Sequence, residues 1–273
     1  MSVICETLHV SRSGYYAHLE GIVGEREHTD RRLMPLVRSI FIAHKRRYGT
    51  RRISKELQKR GETCGPGRVG RLKKCQGLKA IQPKSFRPRT TDSRHGLGYS
   101  PHRLIDARPP TDRNQIWVGD ITYIPLKRRT FGYLSVLMDL FSRRIVSWEL
   151  SENMKESLTL AALRQAIRIR QPRPGMIHHT DRGGQYAGTE YRRVLDRAGA
   201  IQSMSRANNC YDNAFMESCF GTIKTELEMA EYENGLVARR EVAAYVNYYN
   251  TARRHSSLDY MTPSEFEGEL APN

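Results

Sequence analysis

His178-His179-Thr180-Asp181-Arg182-Gly183-Gly184-Gln185-Tyr186 sets one carboxylate between a short apolar run, Met176 and Ile177, and a pair of glycines. The pattern predicts a strand that delivers Asp181 to its own exposed end, with a loop beyond it able to approach a ligand closely. An acid before Gly-Gly is, by itself, an ordinary turn residue. Two further acids change the reading: Asp120 in Trp117-Val118-Gly119-Asp120-Ile121-Thr122-Tyr123-Ile124, and Glu217 in Asp212-Asn213-Ala214-Phe215-Met216-Glu217-Ser218. Asp120 falls in the middle of an apolar run, where a carboxylate is costly unless a cation or a partner meets it. Three acids from two strands and a helix are what a two-metal phosphodiester site asks of a protein. Hard divalent cations take carboxylate oxygen, and a pair of them serves the attacking and leaving oxygens of an in-line displacement. Asp120 is the expected bridging ligand, with Asp181 and Glu217 completing one metal each. Asp139 competes for such a role but ends its strand, and is expected to be structural.

Working outward, strands are expected over Ile116 to Ile124, Phe131 to Leu140 and Arg144 to Leu150, antiparallel because their connections are short. A helix marked by Leu158, Ala161, Ala162, Gln165 and Ile169 follows, then a strand at 175–178, a helix from Thr189 to Ala198, a strand Ile201-Gln202-Ser203-Met204 and a helix from about Asn213 to Met229. The tail, Ala238 to Asn250, is a further helix rich in tyrosine. Three antiparallel strands followed by alternating helices and strands make a mixed α/β sheet, the order of a ribonuclease H-like domain.

The net charge of +16 is unevenly placed: residues 1–110 hold 24 Lys/Arg against 9 Asp/Glu, and the remainder 21 against 20. This asymmetry points to a polyanion-binding module joined to a near-neutral one. No amphipathic helix with a broad Leu/Trp/Phe face accompanies the charge, which favours nucleic acid over a membrane surface. Within the basic part, residues 10–16 suggest a short turn leading into an aromatic anchor. Apolar residues Leu33, Leu36, Val37, Ile40 and Phe41 share one helical face, with Asp30 as its expected N-cap. A second helix runs from Thr50 to Arg60. A third begins at Pro66, buries Val69 and Leu72, and carries Arg68, Arg71, Lys73 and Lys74 on its other positions. Helix, glycine-containing turn and basic helix form a helix-turn-helix arrangement, so these four cations are the expected DNA contacts. The proline-rich stretch beyond 79 reads as a linker.

Lys224 lies two helical turns beyond Glu217 on the same face and is expected either to meet a DNA phosphate or to pair with a nearby Glu. Asp212 is expected to cap the Glu217 helix. The five cysteines are odd in number and form no CxxC pair, so neither a disulfide framework nor a zinc site is expected. No GxxxxGK[ST] loop is present, and ATP is not an expected input. No apolar run approaches the ~18–20 residues of a membrane span, and a cytoplasmic, nucleoid-associated location is expected.

These segments, together with Ser11-Arg12-Ser13-Gly14-Tyr15-Tyr16, Tyr48-Gly49-Thr50-Arg51-Arg52-Ile53, Lys224-Thr225-Glu226 and the stretch from Tyr248-Tyr249-Asn250 through Arg254-His255-Ser256-Ser257-Leu258, resemble the second-frame product of bacterial insertion sequences of the IS-three family. The match runs from residue 11 to about 266. It implies a retroviral-integrase-like DDE core using Asp120, Asp181 and Glu217 with Mg²⁺, or Mn²⁺ as substitute. It also implies hydrolysis at an element end to free a 3′-hydroxyl, then attack of that hydroxyl on another phosphodiester. Gly119 departs from the pattern, since Thr commonly precedes the Asp, and a looser site is the expected consequence. The implied organisation is a helix-turn-helix region over 1–95, a linker over 96–112, a catalytic core over 113–229 and a helical extension over 230–273. Implied partners are double-stranded DNA, further copies of the chain on that DNA, and a first-frame product or frameshift fusion. The alternative is a DNA-binding regulator or decayed element product without catalysis.

Overall fold

The structure, a computed structural model, describes residues 2–21, 24–83, 98–206, 210–228 and 231–269. It divides into two compact units, Met1–Ile81 and Gln82–Asn273.

The first unit is all helical: α1 (Ser2–Thr7), α2 (Arg12–Leu19), α3 (Glu25–Ala43), α4 (Thr50–Lys59) and α5 (Pro66–Cys75). The expected turn at 10–16 is instead the start of α2, because the Ser11 hydroxyl accepts from the Gly14 backbone N–H at 3.1 Å and caps it. Helix α3 likewise starts earlier than expected. Gly24 is its N-cap and Asp30 lies inside it, buried, with its carboxylate 2.7 Å from both Arg68 Nε and Arg71 Nη2. Leu33, Val37, Ile40 and Phe41 of α3 close with Ile53, Leu57, Val69 and Leu72 into a core. The Ser54 hydroxyl donates to the Cys64 carbonyl at 2.6 Å and ties the connecting turn to α4. Lys73, expected to face outward, is buried. Its Nζ reaches the Tyr48 carbonyl at 3.4 Å and lies 5.0 Å from the Phe41 ring centroid, and burial lowers its pKa. The apolar stripe of α5 is therefore wider than Val69 and Leu72 alone, and the lysine stem fills the gap.

The second unit is built on a five-stranded sheet in the order β3-β2-β1-β4-β5, from β1 (Ile116–Leu126), β2 (Thr130–Asp139), β3 (Ile145–Ser151), β4 (Ile177–Thr180) and β5 (Ile201–Met204). The first three strands are antiparallel neighbours; β1–β4 and β4–β5 are parallel. One face, bearing Ile116, Val118, Leu134, Val136 and Met138, packs on α9 (Ala214–Glu226) and α10 (Gly235–Thr251). The other, bearing Trp117, Ile121 and Leu137, packs on α6 (Glu156–Arg170), α7 (Gly184–Ala187) and α8 (Thr189–Arg197). Alternate residues of β1 thus serve two cores, as the period of two requires.

A last helix, α11 (Pro263–Glu269), was not legible in the sequence. It is tied down by Glu267, which accepts from Arg170 (2.7 and 2.9 Å), from Arg144 (3.2 Å) and from the Ser142 hydroxyl (2.8 Å). Asp139 is structural, as expected: fully buried, it accepts from the backbone N–H groups of Asn114 (2.6 Å), Phe141 (3.1 Å) and Ser142 (2.9 Å). Residues from the proline-rich stretch lie along the edge strand β5. Ser100 Oγ donates to Gln202 Oε1 at 2.7 Å and the Arg103 backbone N–H donates to Ser203 Oγ at 2.9 Å. Residues 84–97 of the same stretch, and the residue at which the linker is expected to begin, are outside the described residues. Cys5, Cys64 and Cys219 are free and buried, in keeping with packing roles. No helix among the described residues is long and apolar enough to cross a membrane.

Candidate active site

Asp120 sits in the middle of β1 on the face that packs against α9 and α10, the one acid among Ile116, Val118, Ile124 and Leu126 on that face. The parallel pairing of β1 with β4 ends at Val118↔His179. Asp120 and Asp181 each stand two residues beyond that last pair. Asp181 is the first residue past β4, so the backbone there is free to turn. Its Oδ1 accepts from the Gly183 backbone N–H at 2.9 Å. A Cβ on Gly183 would meet that same oxygen at 3.1 Å and Gln185 Oε1 at 2.9 Å, so the first glycine of the pair is needed for close approach.

Glu217 comes from the first turn of α9 and is exposed. Met216, Phe220 and Ile223 of that helix are buried against the sheet, and this packing fixes which side of α9 looks along β1. The pKa of Asp120 is pushed well above the usual carboxylate range. Burial is the main cause, and the negative charges of Asp181 and Glu217 add to it; the Ile121 backbone N–H and the Lys224 ammonium act in the opposite sense. Part of the Asp120 surface still reaches solvent.

Lys224 lies with its Nζ 4.7 Å from the centroid of the Tyr123 ring. Burial lowers its pKa, and Asp120 opposes that shift. Tyr123 meets Phe131 edge to face at 5.3 Å, giving an aromatic shoulder under the Lys224 ammonium. The sequence marked Lys224 but not this shoulder; an aromatic three residues beyond Asp120 was the available signal.

The donor set fits a divalent cation. All three acids offer hard oxygen, and a carboxylate destabilised by two like charges gains most from a cation placed among them. Among the described residues, no three His, Cys, Asp or Glu side chains already converge on a single ion position. Asp120 Oδ1 and Asp181 Oδ1 are turned onto backbone N–H groups, of Ile121 at 2.7 Å and of Gly183 at 2.9 Å.

The two histidines of the quoted stretch are strand residues pointing to opposite faces, and both are fully buried. His178 Nε2 is 2.7 Å from the Tyr191 hydroxyl; burial and His179 push its pKa down to about 3. His179 contacts Ser203 Oγ (2.8 Å) and the Asp212 main-chain oxygen (3.1 Å); burial, then His102, push its pKa down to about 4. Gly119 is explained by the first of them. A Cβ there would lie 3.2 Å from His178 Cε1 and 3.5 Å from Thr180 Cγ2. The glycine admits the imidazole against β1, so the position is closely packed where a looser site was expected. Asp212 does not cap α9: Asn213 holds the N-cap position with no side-chain hydrogen bond. The Asp212 carboxylate instead takes Arg206, which holds its pKa down to about 2. Asn208 and Asn209 lie outside the described residues.

The chain is similar to known proteins over most of its length. Residues 110–210 match the integrase core domain family, residues 198–263 a second integrase core domain family, and residues 27–86 an HTH-like domain. The chain is 42% identical to the transposase for insertion sequence element IS904 of Lactococcus lactis, over 85% of this chain and 91% of that one. It is 38% identical to an uncharacterized 31 kDa protein of insertion element IS600 of Shigella sonnei, over 96% and 97%. It is 34% identical to transposase InsF of an Escherichia coli IS3 element, over 98% and 94%. Among solved structures, the fold is similar to a chain of a simian T-cell lymphotropic virus intasome bound to a PP2A regulatory subunit. That match has a TM-score of 0.50 at 15% identity and covers 87% of this chain and 76% of that one.

Proposed function

The chain belongs to the insertion-sequence transposases of the IS3 family, with an HTH-like domain ahead of an integrase core, and we propose on that footing that Asp120, Asp181 and Glu217 are its catalytic carboxylates. The enzyme is a DDE transposase: it cleaves DNA at the ends of its element and joins the freed 3′-hydroxyl to another phosphodiester. The observation that carries the residue assignment is the parallel pairing of β1 with β4, which leaves Asp120 and Asp181 each two residues beyond the pair Val118↔His179, with Glu217 in the first turn of the helix packed on that face of the sheet.

The reaction is dependent on divalent metal; Mg²⁺ is the proposed ion and Mn²⁺ its substitute. Asp120 would hold both ions of a pair, Asp181 one and Glu217 the other. Bound there, the ions supply the charge that deprotonates the attacking hydroxyl or water and stabilises the leaving oxygen. The chain's own part is to hold three acids together at a cost in burial and mutual repulsion, so that their affinity for cations is high. Lys224 fixes a backbone phosphate beside Asp120, and its seat on the Tyr123 ring keeps the ammonium from swinging away. The helix-turn-helix unit grips double-stranded DNA at the element ends through the outward cations of α5, chiefly Lys74, with Arg68 and Arg71 held in place by Asp30. Two copies of the chain on paired ends, target DNA in the core, and a first-frame product or frameshift fusion as partner complete the proposal. The site of action is the cytoplasmic nucleoid.

The test is to incubate the protein with labelled element-end DNA and Mn²⁺ and to resolve nicked and joined strands. Asp120→Asn should lower both products by at least about a hundredfold while DNA affinity stays within a few fold. Retained joining in that variant removes Asp120 from the chemistry. Nicking without any joined product by the wild type would mark a nuclease instead.

A further inference from the structure

Asp212 stands five residues before Glu217, and its side chain is nearly enclosed, at 6% exposure. Its Oδ2 accepts from the Arg206 backbone N–H at 2.8 Å and from Arg206 Nε at 3.1 Å, and its Oδ1 from Arg206 Nη2 at 3.0 Å. His102 brings Nε2 to 3.3 Å from Oδ2. That contact is not directed well enough to count as a hydrogen bond, and becomes an ion pair when the imidazole is protonated. The main-chain oxygen of the same residue faces His179 Nε2 at 3.1 Å. His179 is two residues before Asp181.

The hydrogen-bond pattern assigns the protons. The Asp212 main-chain oxygen can only accept, so the His179 Nε2 that faces it at 3.1 Å carries the hydrogen and donates to it, with Ser205 Oγ a further 3.2 Å neighbour of that nitrogen. His179 Nδ1 then accepts from the Ser203 hydroxyl at 2.8 Å, while Ser203 Oγ accepts from the Arg103 backbone N–H at 2.9 Å. The rings of His102 and His179 also meet edge to face at 5.0 Å. One connected set of polar contacts thus runs from the end of β4, through β5 and the segment beside it, to the turn that opens α9.

We propose that His179, Asp212 and His102 act as positioning residues that lock the start of α9 to the end of β4 and so set the separation between the Asp181 and Glu217 carboxylates. The inference rests on the assignment of those two acids as metal-holding groups. The physical need is clear from how α9 is otherwise held. Met216, Phe220 and Ile223 seat it on the sheet by apolar packing, and packing of that kind resists lifting better than it resists sliding along the helix axis. A directed hydrogen bond in the turn just before it removes that freedom, and catalytic geometry is sensitive to displacements of about 1 Å.

The test measures Mn²⁺ binding by loss of the free-ion paramagnetic resonance signal, alongside strand joining and DNA affinity, in Asp212→Asn, His179→Gln and His102→Gln. Asp212→Asn and His179→Gln should each weaken Mn²⁺ binding and slow joining at saturating Mn²⁺ by about tenfold or more, with DNA affinity within about twofold. The double variant should lose little beyond the worse single, because the Arg206 contacts of the Asp212 carboxylate and the His179 contact of its main-chain oxygen fix the same turn. Asp212→Glu, which restores the charge, should recover part of the loss. Folded variants with wild-type Mn²⁺ binding and joining overturn the proposal, and so does a fall in melting temperature with Mn²⁺ binding intact. If Asp212→Asn does not fold, His102→Gln, at the outer end of the set, decides by the same readings. A wild-type protein that neither binds Mn²⁺ nor joins ends overturns the catalytic assignment itself, a result distinct from failure of the clamp.

Discussion

Arg253 Nε donates to Glu226 Oε1 at 2.9 Å beside the core that α9 and α10 share, with both side chains at most 7% exposed. The Tyr245 hydroxyl donates to the other carboxylate oxygen at 3.1 Å, and the guanidinium lies 5.5 Å from the Tyr249 ring centroid. Burial works against the arginine charge, but Glu226 and the two tyrosines hold its pKa raised. The pair joins the last turn of α9 to the chain beyond α10. It is thus a strut for the helix that carries Glu217, and it gives a structural role to Glu226 and Arg253, one from each of two motif segments.

Removing one partner leaves an uncompensated buried charge. Arg253→Met should therefore destabilise the second unit by about 3–5 kcal/mol, and adding Glu226→Gln should recover much of that loss. Urea unfolding of the single and double variants reads this directly. A single variant within about 1 kcal/mol of wild type would show the pair to be exposed in solution.

Acid sensitivity follows from His178. Its ordinary pKa of 6.5 falls to about 3 in the fold, through burial and then through His179. The unfolded chain binds more protons between those values, so stability is intact above about pH 6.5 and drains away as pH falls towards about 3. Urea midpoints measured from about pH 8 to about pH 4 should decline through this window, and the decline should be shallower in His178→Gln.

Gly119→Ala tests the close packing of His178 on β1. With the new Cβ 3.2 Å from His178 Cε1, the imidazole must shift off Tyr191 or the strand must move, at a cost of about 1–3 kcal/mol. Chemical denaturation should show a smaller cost for the same substitution in a His178→Asn background. Equal costs would mean that the imidazole is not what fills the space.

Two neighbouring lysines on α5 should behave oppositely in DNA binding. Lys74 is exposed, and Lys74→Ala should weaken binding and reduce the slope of log affinity against log salt by about 1. Lys73 is buried, and Lys73→Met should leave that slope unchanged. A salt titration of binding to one duplex separates the two.

Local pattern alone determined a large share of this protein. Strand and helix periodicity placed β1, β2, β3 and β5 to within a residue or two, because alternation and helical spacing depend only on neighbours in the chain. Asp120 stood out because a carboxylate in an apolar strand needs a reason. The break in charge near residue 110 falls inside the second compact unit, which begins at Gln82. What depended on distant partners was decided only by the tertiary structure. Lys73 was indistinguishable from Lys74 until Phe41 and Tyr48 closed over it. Asp30 and Asp212 both read as helix caps, yet each is claimed by arginines, Arg68 and Arg71 in one case and Arg206 in the other. Gly119 carried no sign of the imidazole that fills the place of its missing Cβ. A residue's chemistry is written in the chain, but its burial and its charge partner are properties of the packed molecule, since both depend on atoms that only folding brings near.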